Sequence, residues 1–213
     1  MDVILFGPPG AGKGTQATAA SNAAGVPHVS TGDIFRHHLR NGTELGQKVR
    51  SYMNEGNLVP DELVLEVVAS RLEQDDAVGG VLFDGFPRTV NQARLLRRWL
   101  QEHDRDVNVV INLVVPDAVV EARLSGRRSC LNCGATYHVD HSPPADDGSC
   151  TKCGTQVVQR DDDQPETVRK RIQTYHNDTA PVLAWARESV RVVDVDANQA
   201  ISNVREAVLA ALR

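Results

Sequence analysis

The sequence has no long apolar run, no excess of basic side chains and no cysteine outside one short segment. No stretch approaches the ~18 apolar residues of a membrane-spanning helix, which excludes that kind of membrane protein. A formal net charge of −5 argues against a nucleic-acid-binding protein, since such proteins carry a basic face. All cysteines lie between Cys130 and Cys153, whereas the disulfides of a small secreted fold would be spread along the chain.

The N-terminus also lacks the features of a secretory signal. Met1–Gly7 contains no basic residue, and its apolar run is too short for the hydrophobic part of a signal peptide. We therefore expect a cytoplasmic protein with neither a membrane nor a nucleic-acid partner. Its 213 residues, 41% of them hydrophobic and 24% charged, suffice for one domain with a real core and small inserts.

Strand and helix patterns alternate along most of the chain. Apolar, β-branched runs predict strands at Val3–Phe6, Val81–Phe83, Val107–Val115 and Val190–Val195. The segments between and after them predict helices at Thr15–Ala24, Glu62–Leu72, Thr89–Leu100, Asp117–Leu124 and Ala200–Leu212, and a long helix that opens at Pro165 and is interrupted or kinked by Pro181. This alternation predicts an α/β fold with a central parallel sheet covered on both faces. Two segments break it, a helical insert at Ser30–Val59 and a small subdomain at Arg127–Asp163 that holds the cysteines.

A glycine-rich loop follows the first predicted strand. Gly7–Thr15 reads GPPGAGKGT and fits the phosphate-loop pattern G-x-x-x-x-G-K, although Gly14 stands where Ser or Thr usually follows the lysine. The glycines let backbone N–H groups converge on phosphate oxygens, the following helix adds partial positive charge, and Lys13 reaches the β- and γ-phosphates. The alternative is a glycine-rich turn with a chance lysine, which the strand before and the helix after disfavour. The loop therefore predicts a nucleoside triphosphate site.

A second motif, Phe83–Arg88 (FDGFPR), ends another predicted strand. Carboxyl ends of parallel strands face the ligand crevice, so Asp84 can hold Mg²⁺ directly or through water. Gly85 lets a ligand approach the backbone, and Arg88 offers a guanidinium fork for phosphate.

The cysteines form C-x₂-C-x₁₆-C-x₂-C, from Cys130, Cys133, Cys150 and Cys153. This spacing predicts a tetrahedral Zn²⁺ site, and four thiolates leave no open position, so the metal would be structural. A pair of disulfides is the alternative, disfavoured in a reducing compartment. A ribbon that binds nucleic acid or a protein partner is a further alternative, and the acidic residues nearby argue against nucleic acid. His138 and His141 are surplus to such a site and are interpreted as surface residues.

These motifs occur in an order that resembles bacterial adenylate kinases over essentially the whole chain. The resemblance rests on Gly7–Thr15, Ser30–Asp33 with Arg36, Asp84–Arg88 with Gln92, Gly126–Arg128, and Asp162–Gln164 through Arg171. It implies a phosphate-loop NTPase fold of three layers, with a core at 1–29, 60–125 and 164–213. It further implies a nucleoside monophosphate-binding insert at 30–59 and a zinc-ribbon-like lid at 126–163. The implied reaction is ATP + AMP ⇌ 2 ADP with Mg²⁺, in a monomer.

The resemblance also implies roles for individual residues. ATP would contact Gly10, Ala11, Gly12, Lys13, Gly14 and Thr15, with Arg127, Thr136 and Tyr137 on the lid and the backbone at Gln199. AMP would contact Thr31, Arg36, Asn57, Leu58, Val59, Gly85, Phe86, Pro87 and Arg88, with the Gln92 amide reading the adenine edge. Arg123 would bind phosphate, and Arg160 and Arg171 would bridge the transferred phosphoryl group and AMP; with Lys13 and Arg88 they form the expected catalytic set. Asn57 departs from the lysine of a well-known member.

Other interpretations remain open at this point. A kinase of the same fold could use UMP or CMP as the acceptor, or GTP, although Thr31 and Gln92 favour AMP. A zinc-containing nucleotide-binding regulator without turnover is a third possibility, which the full set of cationic residues disfavours. The arginines could also be solvated surface charges, and Asp162 and Asp163 could either pair with them or form a solvated acidic loop; pairing is favoured.

Overall fold

The computed structural model describes residues 1–213 and contains a five-stranded parallel sheet, which confirms the predicted fold class. Its strands are β1 Asp2–Phe6, β2 His28–Ser30, β3 Leu82–Asp84, β4 Val107–Val114 and, after three strands of a separate small sheet, β8 Val192–Asp196. They lie in the order β2-β3-β1-β4-β8. The chain's first strand is therefore central, and its carboxyl end lies beside those of β3 and β4.

Nine α-helices accompany the strands. They are α1 Lys13–Ala24, α2 Thr31–Arg40, α3 Glu44–Asn54, α4 Asp61–Leu72, α5 Val90–Glu102, α6 Asp117–Ser125, α7 Pro165–Thr174, α8 Pro181–Arg187 and α9 Ile201–Ala211. None of the helices has both the length and the apolar character needed to cross a bilayer.

The sheet separates two apolar cores. Successive side chains of a strand point to opposite faces, so Val3 and Leu5 of β1 pack with α1, α6, α7 and α9, while Ile4 and Phe6 pack with α2, α4, α5 and α8. Each core contains 20 buried residues, so helices cover both faces of the sheet. This explains why the parallel strands appear in the sequence as nearly continuous apolar runs.

One strand differs from the sequence-based expectation. The edge strand β2 was not predicted, because Val29 is its only apolar residue and its pairing with β3 is a long-range contact. The predicted interruption at Pro181 is confirmed: a π turn at Tyr175–Thr179 ends α7, and Pro181 begins the separate helix α8. Proline is well accommodated at the first position of a helix, where no N–H bond is lost.

The insert at 30–59 consists mainly of α2 and α3, and both helices begin with a side-chain cap. The Ser30 hydroxyl accepts the Asp33 N–H at 3.2 Å, and the Thr43 hydroxyl accepts the Gly46 N–H at 3.1 Å. The two helices approach closely at Gly46, where a Cβ atom would lie 2.2 Å from the His38 carbonyl oxygen.

The segment at 126–163 forms a second, antiparallel sheet from β5 Arg127–Cys130, β6 Thr136–His138 and β7 Val157–Val158. These strands lie in the order β6-β5-β7. Its buried core consists of Cys130, Tyr137 and Cys150 alone. So small a core gives little stability by itself, which leaves a folding role for the cysteine cluster.

Candidate active site

A single cleft of about 1320 Å³ opens over the carboxyl ends of the strands. It exceeds the ~300–1,000 Å³ usual for one small-molecule site, so it has room for two nucleotides. Every nucleotide-binding or catalytic residue predicted from the sequence lines it. These are Gly10–Thr15, Thr31, Arg36, Asn57–Val59, Asp84–Arg88, Gln92, Arg123, Arg127, Thr136, Tyr137, Arg160, Arg171 and Gln199.

The phosphate loop joins β1 to α1. Gly12 caps α1 with a φ of 97°, and Gly7 has a φ of 135°, both in the region that favours glycine. A Cβ atom at Gly7 would also lie 2.6 Å from the Leu113 carbonyl oxygen, so a larger residue cannot take this path. The loop lines the cleft at the start of α1, where the first N–H groups of a helix have no partner four residues back, as an anion site requires.

Lys13 turns back onto its own loop. Its Nζ donates to the carbonyl oxygens of Gly7 and Pro8, each at 2.8 Å. Burial lowers the pKa of Lys13 to about 8, and the charge of Asp84 opposes that shift. A bound phosphate would replace the carbonyl contacts with an ion pair and favour the protonated amine.

Asp84 ends β3, next to Leu5 of the central strand. Its side chain is largely buried, and its Oδ2 lies 3.7 Å from where a Gly14 Cβ would be, directly beside the loop. Mg²⁺ is commonly held by one or two carboxylates together with substrate phosphates and water. A single carboxylate beside the loop suits that donor set. Sequence reasoning missed His28, whose Nε2 lies 3.4 Å from the same Oδ2, because no local motif marks it.

The acceptor side is organised around the carbonyl group of Gly85. The Thr31 hydroxyl donates to it at 2.9 Å, and the Arg88 Nε donates to it at 2.7 Å. Arg36 pairs with Asp33 at 2.5 Å. The Asn57 side chain donates to Glu55, so this residue meets the cleft without using its amide there.

Gln92 is buried, with 1% of its surface exposed, and lies at the floor of the acceptor side. Its Oε1 accepts the Arg88 N–H at 2.7 Å, and its Nε2 donates to Asp61 at 2.7 Å. A carboxamide has two donors and two acceptor positions, so one of each is still free. Sequence reasoning missed Asp61, because only the fold brings the start of α4 beside α5.

Positive charge dominates the cleft wall. Eight cationic side chains and four carboxylates line it. The cations are Lys13, Arg36, Arg88, Arg123, Arg127, Lys152, Arg160 and Arg171, and the carboxylates are Asp33, Asp84, Asp140 and Asp162. Lys152, which lies between Cys150 and Cys153, was not predicted to line the site. The excess of cations fits a ligand with several negative charges.

The arginines are held by oxygen acceptors in the wall. Arg123 donates to the Ala197 carbonyl oxygen at 2.9 Å, and Arg160 donates through Nε to the Ser129 hydroxyl at 2.7 Å. Burial, reinforced by neighbouring arginines, lowers the pKa of Arg160 to about 9 and that of Arg88 to about 10. Both side chains stay charged near neutral pH, in a site that repels further cations and attracts anions.

Asp163 joins two of these arginines, which confirms that Asp162 and Asp163 pair with cationic residues. Its carboxylate is fully buried and receives Arg127 through two bonds, at 2.5 and 2.7 Å. Arg171 reaches the same carboxylate at 3.1 Å and Asp162 at 2.9 Å. One acidic side chain therefore fixes two cations of the cleft wall.

The four cysteines converge to one cluster, with all sulfur atoms within 4.8 Å of one another. The Cys130 and Cys153 sulfurs are 3.4 Å apart, and those of Cys133 and Cys150 are 3.5 Å apart, too far for a disulfide bond. Tetrahedral zinc with bonds of ~2.3 Å places its sulfurs ~3.8 Å apart, so the donor set fits.

The lid side differs in detail from the sequence-based interpretation. The Tyr137 hydroxyl lies 3.2 Å from the Cys150 sulfur and 2.9 Å from the Thr151 hydroxyl, so its hydrogen bonds are made to the cysteine cluster and the residue next to it. Any contact of Tyr137 with a nucleotide must use its ring or backbone. His138 is not a free surface residue, since it stacks on His141 with its Nε2 buried.

The insert at 30–59 and the lid meet across the cleft. Arg40, the last residue of α2, donates to the carbonyl oxygens of Leu131 and Asn132, which lie between Cys130 and Cys133. The cleft is therefore bounded by the sheet below and by both inserts above.

Comparison with known proteins agrees with this geometry. A family model described as adenylate kinase matches residues 5–190. An adenylate kinase of Clostridium perfringens (strain SM101 / Type A) is 46% identical over 208 residues, covering 98% of this chain and 96% of the relative. An adenylate kinase of Caldicellulosiruptor saccharolyticus is 46% identical, covering 100% of this chain and 99% of the relative. One of Archaeoglobus fulgidus is 47% identical, covering 96% of this chain and 94% of the relative.

Proposed function

The chain belongs to the adenylate kinase family, and we propose that its cleft holds ATP on the phosphate-loop side and AMP on the insert side. The protein is a phosphotransferase that moves the terminal phosphoryl group of ATP to AMP, giving two ADP. One observation carries the proposed arrangement: the predicted donor and acceptor residues line one cation-rich cleft with room for two nucleotides.

On the donor side, the loop N–H groups from Gly10 to Thr15 and the Lys13 ammonium bind the ATP phosphates. Arg127 and Thr136 contact the nucleotide from the lid, and the backbone at Gln199 meets its adenine. The Gln199 side chain is already bonded to Asp196, which supports a backbone rather than a side-chain contact.

On the acceptor side, Arg36 and Arg88 bind the AMP phosphate, while Thr31 and Gln92 meet its base. The backbone of Asn57–Val59 and of Gly85–Pro87 completes the pocket. The free donor and acceptor of the Gln92 amide complement the N1 and 6-amino groups of adenine.

Catalysis follows from charge and position. The transferred phosphoryl group spreads negative charge over three oxygens between two anionic nucleotides. Arg123, Arg160 and Arg171, with Lys13 and Arg88, neutralise that charge and hold donor and acceptor in line. No general base is needed, because the attacking AMP phosphate oxygen is already anionic.

We assign Asp84 to the Mg²⁺ that accompanies ATP, directly or through water. When bound, the ion would offset the negative charge of the ATP phosphates. The buried carboxylate beside the loop supports this assignment.

The cysteine cluster is proposed to hold a structural Zn²⁺. Its sulfur spacing suits a tetrahedral ion, and the small core of the lid needs such a cross-link. The free cysteines also suit a reducing compartment, which supports a cytoplasmic location.

The domain division follows the two inserts: a core at 1–29, 60–125 and 164–213, an AMP-binding insert at 30–59, and a lid at 126–163. Ser30 belongs to both β2 and the start of the insert, since it also caps α2. Closure of both inserts over the cleft excludes water, which would otherwise accept the phosphoryl group. One chain supplies every residue, so a monomer suffices, with no nucleic acid or membrane partner expected.

A coupled assay of ADP formation with AMP, UMP, CMP and GMP as acceptors tests this function. We expect AMP to have the highest kcat/KM; a preference for UMP or CMP would refute the acceptor assignment. Lys13→Ala should abolish most turnover, and near-normal activity would show that the loop is not the catalytic one. A protein that binds ATP without turnover would instead be a regulator.

A further inference from the structure

One carboxylate outside the cleft lining organises the acceptor side. Asp61, the first residue of α4, accepts hydrogen bonds from the Gln92 Nε2 at 2.7 Å, the Asn91 Nδ2 at 2.8 Å and the Thr89 hydroxyl at 3.0 Å. Each donor belongs to the start of α5, so Asp61 ties two helices together just behind Gln92.

These bonds fix which end of the Gln92 amide faces which way. The Arg88 N–H is a donor and requires the oxygen of the amide, whereas Asp61 is an acceptor and requires its nitrogen. If the amide were flipped, two donors would face each other at Arg88 and two acceptors would face each other at Asp61. The positions of the remaining acceptor on Oε1 and the remaining donor on Nε2, which are available to a ligand in the cleft, are thereby fixed.

That order matters for the base of the acceptor nucleotide. Adenine presents a donor at its 6-amino group and an acceptor at N1. Hypoxanthine has nearly the same shape but presents an acceptor at its 6-oxo group and a donor at N1–H. A Gln92 amide held in one orientation can match only one of these patterns, and a mismatched base leaves buried polar groups unpaired.

We propose that Asp61 is a positioning residue that holds the Gln92 amide in the orientation selecting a 6-aminopurine over a 6-oxopurine monophosphate. This rests on the proposed contact of Gln92 with the AMP base. Asp61 does not line the cleft, and it acts only through the amide it orients.

Asp61→Asn is the variant that tests this role. It keeps the shape of the side chain, but Thr89 and Asn91 still donate to one of its two positions and hold the asparagine oxygen there. The asparagine nitrogen then faces Gln92 and, being a donor, no longer accepts the Gln92 Nε2. Only the Arg88 N–H then opposes the flip. A hydrogen bond to a charged group shifts an equilibrium by a factor of about ten or more. We expect the ratio of kcat/KM for AMP to that for IMP to fall about tenfold, with KM for ATP unchanged.

Asn91→Ala provides the matched control. Asn91 is exposed and donates to the Oδ2 atom of Asp61, whereas Gln92 donates to Oδ1, so its loss leaves the Asp61–Gln92 bond in place. The AMP/IMP ratio should stay within about twofold of wild type. Thermal unfolding of both variants shows whether the fold is kept, since a general loss of structure would lower kcat/KM equally for AMP and for IMP.

Gln92→Leu separates the possible failures. If wild type prefers AMP and Gln92→Leu loses the preference while Asp61→Asn keeps it, the role of Asp61 is refuted but that of Gln92 stands. If Gln92→Leu keeps the preference, Gln92 does not read the base and the inference fails with it. If wild type does not phosphorylate AMP at all, the proposed function itself is wrong. An equal loss for AMP and IMP in Asp61→Asn would also overturn the inference.

Discussion

Replacing Asp163 by asparagine removes one buried negative charge and should destabilise the free protein strongly. The side chain is fully buried and receives three bonds from Arg127 and Arg171. Breaking a buried ion pair by neutralising one partner costs about 3–5 kcal/mol. Because Asp162 remains 2.9 Å from Arg171, we expect the lower end, about 3 kcal/mol. In a protein of this size that lowers Tm by about 6–12 °C.

Thermal unfolding followed by circular dichroism, without nucleotide, measures this effect. Asp161→Asn is the control, since Asp161 is the exposed neighbour of the same residue type and should change stability by less than about 0.5 kcal/mol. A ligand with two linked nucleotides should restore stability more in Asp163→Asn than in wild type, because its phosphates supply the missing anion. A Tm decrease below about 2 °C, or one equal to the control, would refute the reasoning.

Three further predictions concern the donor site and the lid. Above about pH 8 the unliganded Lys13 loses its proton, so ATP affinity should fall by about tenfold per pH unit. Calorimetry in two buffers of different ionisation enthalpy should detect proton uptake on ATP binding, and Lys13→Met should show none. Chelation or Cys130→Ser should lower the unfolding temperature of the lid but leave the phosphate loop able to bind ATP; a metal assay of untagged protein that finds no tetrahedral metal would contradict the zinc site. Gly7→Ala should destabilise the protein by at least about 2 kcal/mol and weaken ATP binding, whereas Gly25→Ala, with a φ of 66° and open space around its Cβ, should cost less. Similar losses in the two variants would argue against the steric explanation.

The parts of the site that could be predicted from the sequence are those whose chemistry depends on neighbouring residues. The phosphate loop and the cysteine pairs are defined by local spacing, so the order of residues alone is enough to locate them. Asp61 and His28 could not be found in this way, because each acts on a residue that only the folded chain brings near. The same reason hid β2, whose one apolar residue forms no run and whose strand exists through pairing with β3.

The lid enters and leaves the core almost at one point. Its far end is tied back to its start, since the Gln159 side chain donates to the Ser125 carbonyl oxygen at 3.2 Å. A segment whose two ends lie together can be lengthened, shortened or exchanged without moving the elements that it connects. The tip of the lid, with its cysteines, can therefore vary in length or in its means of stabilisation while the sheet beneath keeps its register, as long as Arg127, Arg160 and Asp163 near its two ends are kept.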